Sequence, residues 1–144
     1  MKKGIDFIGV SVGALIVNDE RKILLTKRSK NARNARNHWE APGGAVHFWE
    51  KREDAIKREI KEELGIEIEI SGVLQVADEI LPKDKQHWLA TTYLAKIKRG
   101  TPKIMEPEKC DEIGWFFLNN LPKPISYITY LDLKEYKKRL RNRR

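Results

Sequence analysis

Residues 44–66 read GAVHFWEKREDAIKREIKEELGI, and this stretch decides how the rest of the chain is interpreted. A glycine is followed after five residues by Glu50 and, after seven more, by Arg58 and Glu59. Two further glutamates, Glu62 and Glu63, stand just before the sequence Leu-Gly-Ile. The stretch combines a helical repeat of apolar residues with regularly spaced acidic ones, so it predicts a helix that carries chemistry.

The predicted helix covers Glu53–Leu64. Its apolar side chains recur every four residues, which is typical of a helix docked on a sheet: Ile56, Ile60 and Leu64. At about 100° per residue, three glutamates fall within an arc of about 100° beside this stripe. They are Glu59, Glu62 and Glu63. Gly65 is expected to end the helix in the left-handed conformation.

Three carboxylates on one side of a helix repel each other. A divalent cation relieves this repulsion, and a site made only of oxygen atoms suits Mg²⁺ or Mn²⁺ better than zinc. The alternative is an ordinary solvated helix rich in glutamate and lysine. That alternative does not explain why Gly44, Glu50 and Arg58 stand in register with the glutamates.

The whole pattern resembles the Nudix box, and the resemblance extends over nearly the entire chain. Residues 39–44, WEAPGG, look like the Trp-x-x-Pro-Gly-Gly segment that leads into the box. Residues 107–116, PEKCDEIGWF, look like small members of the family that act on nucleoside triphosphates. Trp49 departs from the pattern, because many relatives place glycine immediately before the box glutamate.

The resemblance implies an α+β fold, the Nudix α/β/α sandwich, with a mixed sheet flanked by helices in a single domain over residues 1–144. It also implies that divalent ions are held by Glu59, Glu62 and Glu63, with the carbonyl of Gly43 or Gly44. Arg58 is expected to orient Glu50 by a salt bridge. Glu112 matches a glutamate that joins the metal shell or acts as base in similar enzymes; the alternative is an exposed carboxylate at a strand end.

Residues that bind the rest of a nucleotide are less defined by the sequence. Arg28 ends a segment similar to the second strand of the family, where an arginine often faces the substrate phosphates. An aromatic platform for the base is expected from Trp39, Trp88 or the segment around Tyr127. Each of these aromatic residues also fits a place in the core or on the surface.

The implied reaction is the Mg²⁺-dependent cleavage of a nucleoside diphosphate linkage. The first hypothesis is a nucleoside triphosphate pyrophosphohydrolase that releases a monophosphate and pyrophosphate and cleanses the nucleotide pool. The second keeps the chemistry and changes the substrate to ADP-ribose or a dinucleoside polyphosphate. The third is a non-catalytic or RNA-processing module, and the intact set of box glutamates argues against it.

Composition bounds these hypotheses. The chain has 144 residues, a net charge of +8 and one cysteine, Cys110, so an intrachain disulfide is excluded and a cytoplasmic location is expected. No apolar run is long enough to span a membrane. Basic residues concentrate over residues 134–144, which favours a solvated helix end and leaves binding to RNA as an alternative. A homodimer remains open, because many similar enzymes dimerise.

The remaining pattern predicts strands at residues 7–17, 22–27, 39–41, 67–76, 86–98 and 113–118. A glycine loop is expected at 42–44, a mobile surface loop at 29–37, and a C-terminal helix from Ser126 or Leu131 onwards.

Overall fold

The computed structural model describes residues 1–32 and 35–143. Within these ranges the chain forms seven strands and two α-helices. The strands are β1 Gly9–Ile16, β2 Ile23–Arg28, β3 Trp39–Glu40, β4 Gly43–Ala45, β5 Glu67–Leu81, β6 Gln86–Arg99 and β7 Cys110–Phe116. The helices are α1 Arg52–Leu64 and α2 Tyr127–Arg141.

The strands form two sheets. Four of them pair in the order β4-β1-β6-β5, and three pair in the order β3-β2-β7. The pairing of β1 with β6 is parallel, whereas the other pairings are antiparallel, so the larger sheet is mixed.

The helices cover opposite sides of the sheets. On one side, Ile56, Ile60 and Leu64 of α1 pack with Val12, Ala14 and Ile16 of β1. On the other side, Leu133 of α2 packs with Leu15 of the same strand. Alternate residues of β1 therefore face alternate helices, as the two-residue period of a strand requires. The predicted α+β fold, a mixed sheet between helices, is confirmed.

The main differences from the sequence prediction concern β4, β5 and β7. The expected glycine loop is instead the strand β4, which pairs with β1 through Gly13↔Gly43 and Val12↔Gly44. Strand β5 continues to Leu81. Its pairing with β6 shifts register twice near Gly72 and then goes on to the end of the strand. Strand β7 begins at Cys110, three residues earlier than predicted.

The C-terminal helix is present and runs from Tyr127 to Arg141. Arg139 lies against the sheet, where it donates to the carbonyl oxygens of Val73 at 3.2 Å and Leu74 at 2.9 Å. Part of the basic C-terminal segment is thus engaged in packing. The loop predicted at residues 29–37 lies partly outside the described residues, and its mobility stays a prediction, as does the single domain over residues 1–144.

Candidate active site

Helix α1 presents the predicted glutamates beside its buried face. Ala55, Ile56, Ile60 and Leu64 are buried, so the orientation of the helix about its axis is determined by packing. Gly65 ends the helix with φ at 68° and donates its N–H to the carbonyl of Lys61. The predicted helix and its glycine stop are both confirmed.

Arg58 lies at the centre of a network of ion pairs on this helix. Its guanidinium donates to both oxygens of Glu50, at 2.7 and 3.0 Å. It also donates to Glu59 at 3.0 Å, to Glu62 at 3.2 Å and to the Ala45 carbonyl at 3.0 Å. One planar cation therefore aligns three carboxylates and connects the helix to β4.

Glu50 is held in its charged form by this arrangement. Hydrogen bonds from Arg58 and from the His47 backbone N–H lower the pKa of Glu50 to about 2. The hydrogen bonds to Glu50 in turn raise the pKa of Arg58. The predicted salt bridge between Arg58 and Glu50 is present, and it is bidentate.

Gly44 lies directly against the carboxylate of Glu59. A Cβ atom at position 44 would overlap the carboxylate of Glu59, and one at Gly43 would overlap the carbonyl oxygen of Val12. Only glycine at position 43 permits β4 to approach β1 this closely, and a side chain at position 44 would displace the Glu59 carboxylate. The backbone of β4 is thus brought to the acidic side chains of the helix.

Glu63 is the most deeply placed of the three box glutamates. Burial raises its pKa well above the usual range for glutamate, and the nearby charges of Glu59 and Glu40 raise it further. Glu106 contributes in the same direction. Glu63 therefore lies in a region of concentrated negative charge.

These residues fit a hard divalent cation. Their donors are carboxylate oxygens, and the absence of a side chain at Gly44 lets the Glu59 carboxylate lie against the backbone of β4. Within residues 1–32 and 35–143, no three acidic, histidine or cysteine side chains already converge in a metal-binding arrangement. Glu59 and Glu62 each direct one oxygen at Arg58, so a bound cation requires them to turn or to use their other oxygen.

Glu112 is not brought into this network by any contact among the described residues. It is exposed on β7, opposite Lys27 of β2. Two further acids, Glu40 and Glu106, raise the pKa of Glu63 through their charges. Sequence reasoning missed both, because they are distant in the chain and stand outside the box.

A cavity of about 260 Å³ adjoins the acidic region. Gly43 and Gly44 line one part of it, and two predicted substrate-binding residues, Arg28 and Trp88, line it as well. Arg28 pairs with Glu40 at 3.0 Å. The Trp88 indole N–H donates to Gln86 at 2.9 Å, and its ring packs closely on the backbone of Gly4 and Gly9.

The other two predicted substrate-binding residues lie elsewhere. Trp39 is 7% exposed and packs edge-on against Phe116 in the core, with ring centroids 5.1 Å apart. Tyr127 is exposed at the start of α2. Neither is among the residues that line the cavity, so the structure gives neither of them a contact with a base placed there.

Asp132 lines the inner part of the cavity and was not predicted from the sequence. It is 1% exposed and accepts hydrogen bonds from Thr92 at 2.8 Å and Gln75 at 3.2 Å. Burial raises the pKa of Asp132 to about 7 in spite of these bonds. The sequence does contain a signal for the position of Asp132. Thr129 and Asp132 are three residues apart, so on a helix they share one face, and this is the buried face of α2 that also carries Leu133.

Comparison with known proteins agrees with the fold. The family model described as NUDIX domain matches residues 8–133. The chain therefore belongs to the Nudix family. A MutT NUDIX hydrolase from Burkholderia pseudomallei has a similar structure, with a TM-score of 0.84 and 41% identity, over 90% of this chain and 98% of that chain.

Several similar proteins are named for an activity, and two of them are an ADP-ribose pyrophosphatase and an RNA pyrophosphohydrolase. The ADP-ribose pyrophosphatase of Methanocaldococcus jannaschii is 33% identical over 108 residues, which cover 75% of this chain and 62% of that protein. The RNA pyrophosphohydrolase of Acinetobacter baylyi is 27% identical over 122 residues, which cover 73% of this chain and 70% of that protein. The chain thus spans less than two thirds of the first relative. Both names agree with the predicted class of hydrolase acting on phosphoric anhydrides.

Among the described residues, no helix is both long and apolar enough to cross a membrane.

Proposed function

We propose that this protein is a divalent-cation-dependent pyrophosphohydrolase that cleaves a nucleoside diphosphate linkage. The best-supported substrate is a nucleoside triphosphate, with a monophosphate and pyrophosphate as products. One observation carries the proposal: Glu59 lies against Gly44, in a network ordered by Arg58 and Glu50, and a cavity opens beside the same glycine strand.

The chain supplies the ligands for the cation. Glu59, Glu62 and Glu63 would hold it, together with the carbonyl of Gly43 or Gly44. When bound, the ion supplies charge neutralisation at the phosphate oxygens and a lower pKa for a water molecule.

The residues around these ligands orient them and receive the substrate. Arg58 holds Glu59 and Glu62 in position, because it is itself held by both oxygens of Glu50. Arg28, at the cavity wall, would meet the phosphates or keep Glu40 charged. Glu112 is a candidate base only if substrate binding brings β7 closer to the glutamates of α1. Glu40, in contrast, already raises the pKa of Glu63 through its charge.

The size of the cavity favours a mononucleotide. At about 260 Å³ it is slightly smaller than the range of about 300–1,000 Å³ for ligand pockets, which suits one base and sugar better than two nucleosides. ADP-ribose is the second candidate substrate, because a relative at 33% identity is named an ADP-ribose pyrophosphatase.

RNA is the third candidate, and its support is weaker. A relative named RNA pyrophosphohydrolase and the net charge of +8 favour it. However, Arg139 at the basic end of α2 is already engaged with the backbone of β5. Dimer formation stays a prediction.

A substrate panel tests the proposal. Nucleoside triphosphates, ADP-ribose, dinucleoside polyphosphates and 5′-triphosphate RNA are incubated with Mg²⁺ or Mn²⁺, and the products are separated. Glu62→Gln is expected to abolish pyrophosphate release without unfolding the protein. Glu53→Gln is the matched control, because Glu53 is exposed on the first turn of the same helix. Normal turnover by Glu62→Gln would refute the assigned cation ligands.

A further inference from the structure

One row of residues crosses the four-stranded sheet. It runs from the end of the cavity beside β4, where the phosphates would lie, to the inner end beside Asp132. Gly43 pairs with Gly13, Gly13 with Thr92, and Thr92 with Gln75. Neighbouring strands are about 4.8 Å apart, so Thr92 is about 10 Å from Gly43. This separation matches the distance between the phosphates of a nucleotide and the far edge of its base.

Asp132 reaches this row from α2 and closes the inner end of the cavity. Its two carboxylate oxygens accept hydrogen bonds from Thr92 and from Gln75. An ionised carboxylate has about four acceptor positions, so two remain for a ligand. The carboxyl is therefore anchored in one orientation, and a ligand can reach it only through the small part of its surface that faces the cavity.

A purely structural role does not require a carboxyl group at this position. Its hydrogen-bonding partners are a hydroxyl and an amide, which are uncharged, and the charged group acting on it is the acidic Glu79. A buried charge without a cationic partner destabilises a fold, and a neutral amide would make similar bonds. The cost in fold stability is explained if the carboxyl group is there to bind a ligand.

Three acidic residues line the cavity, together with the basic residues Arg28 and Lys3. Glu79 on β5 and Asp132 line it, and Glu40 on β3 lines it paired to Arg28. The nearby oxygen of Gln86 already accepts from Trp88. The carboxylates therefore offer acceptors to a ligand, and a matching ligand must offer donors.

Resting on the function proposed above, we propose that Asp132 and Glu79 select a nucleotide whose heterocycle presents two neighbouring N–H donors. Guanine is the common base with such an edge, because its N1–H and N2–H₂ groups adjoin. Adenine and cytosine present a donor beside an acceptor, which leaves one carboxylate oxygen facing a lone pair. Asp132 and Glu79 are thus residues that determine base specificity.

The charge of Asp132 makes this selection depend on pH. Its pKa of about 7 means that the ionised form, which only accepts, predominates at pH 8. At pH 6 the carboxyl is mostly neutral, and one oxygen becomes a donor. Glu79 and Glu40 also have raised pKa values and act in the same direction, and the cationic residues at the cavity wall are Arg28 and Lys3.

Binding measurements without divalent ions test the inference separately from catalysis. Affinities for GMP, IMP and AMP are measured by titration calorimetry at pH 8 and pH 6. The wild-type protein is expected to bind GMP at least about tenfold more tightly than AMP at pH 8, with IMP between them because it lacks one donor. At pH 6 the affinity for GMP should fall by up to about tenfold, and that for AMP should not.

Variants assign the effect to the two acids. Asp132→Asn should remove the preference for GMP at both pH values, and Glu79→Gln should weaken it. Asp78→Asn is the control, because Asp78 is exposed and adjoins Glu79 on the same strand. Equal affinities for GMP and AMP in the wild-type protein, no measurable binding of either, or a preference that survives both substitutions would each overturn the inference.

Hydrolysis of GTP and ATP in the presence of Mg²⁺ separates this inference from the proposed function. Preferential binding of GMP without any hydrolysis would refute the pyrophosphohydrolase and support base selection. Hydrolysis of GTP and ATP at equal kcat/KM, together with equal binding of the monophosphates, would refute base selection alone.

Discussion

Two neighbouring threonines of β6 point to opposite sides of the sheet, and the surroundings of each side differ in kind. Thr91 faces α1, where it accepts a hydrogen bond from Arg52 at 3.1 Å. Thr92 faces α2, where it donates to Asp132 at 2.8 Å. On the α1 side, acids are held by an arginine. On the α2 side, the acid is held by neutral groups.

The difference appears in the pKa values of the acids. Arg58 lowers the pKa of Glu50 to about 2, whereas burial raises that of Asp132 to about 7 although it accepts two hydrogen bonds. Neutral donors do not offset the loss of hydration of a charged carboxylate, but a bidentate arginine does. Glu50 and Asp132 therefore respond to pH in opposite directions.

The largest expected effect concerns Asp132 and the stability of the fold. Its pKa is raised above the ordinary value of 3.8, so the folded state binds the proton more tightly than the unfolded state. The free energy of unfolding should therefore fall as the pH rises from about 4 to about 7, by about 4 kcal/mol if no other group compensates. Asp132→Asn should lack this decline and be the more stable protein at pH 8.

Denaturant titrations at pH 4, 6 and 8 measure this effect, with Asp78→Asn as the exposed control. A wild-type protein whose stability rises steadily from pH 4 to pH 8, in parallel with Asp132→Asn, would contradict the assigned environment of Asp132.

A smaller effect is expected for the arginine on the other side. Arg58→Lys keeps the positive charge but loses the planar fork that binds Glu50, Glu59 and Glu62 together. Residues that orient metal ligands typically change affinity or activity by 10–100-fold, so a fall of about that size in kcat/KM is expected. Steady-state kinetics over a range of Mg²⁺ concentrations measure it.

Lys57→Arg provides the control for Arg58→Lys, because Lys57 is exposed on the same helix. If the two variants kept the same kcat/KM as the wild-type protein, the network around Arg58 would have no part in orienting the ligands.

The smallest effect concerns Glu50 at acid pH. Its pKa is lowered, so its contribution to stability is present above the ordinary value of 4.5 and is lost as the pH falls towards 2. The pair is partly exposed to water, and a contribution of about 1 kcal/mol or less is expected. Glu50→Gln should reduce the loss of stability between pH 5 and pH 2, as followed by circular dichroism.

The exposed pair between Glu69 and Lys96, at 3.9 Å, supplies the comparison for Glu50. Glu69→Gln should leave the acid transition unchanged. An equal change in both variants would mean that the bidentate geometry at Arg58 adds nothing to an ordinary surface pair.

The α1 side could be predicted from the sequence because its parts are close in the chain. Gly44, Glu50, Arg58 and Glu59 lie within one turn and one helix, so their spacing implies their geometry. The apolar repeat that ends at Leu64 then determines which face is buried. Even here the sequence prediction for β4 was wrong. Two consecutive glycines usually indicate a loop, but they also occur in a strand when a neighbouring backbone lies too close for side chains.

The α2 side could not be predicted in the same way. Asp132, Thr92 and Gln75 come from three distant elements, and only the pairing of β5 with β6 brings Gln75 and Thr92 together. Trp39 is one of the three aromatic candidates for the base, and of its two readings the structure shows the core one, with its ring against Phe116. Chemical type alone does not distinguish an aromatic residue that packs from one that binds.

The alternation along β1 and β6 has a consequence for how such a protein changes over time. Under the functions proposed above, substitutions on the α2 side would alter which molecule enters without moving the cation ligands proposed on α1. A gene copy can therefore acquire a new preference in a few steps while its hydrolytic half is inherited intact. For enzyme engineers, the positions to randomise are those that face α2.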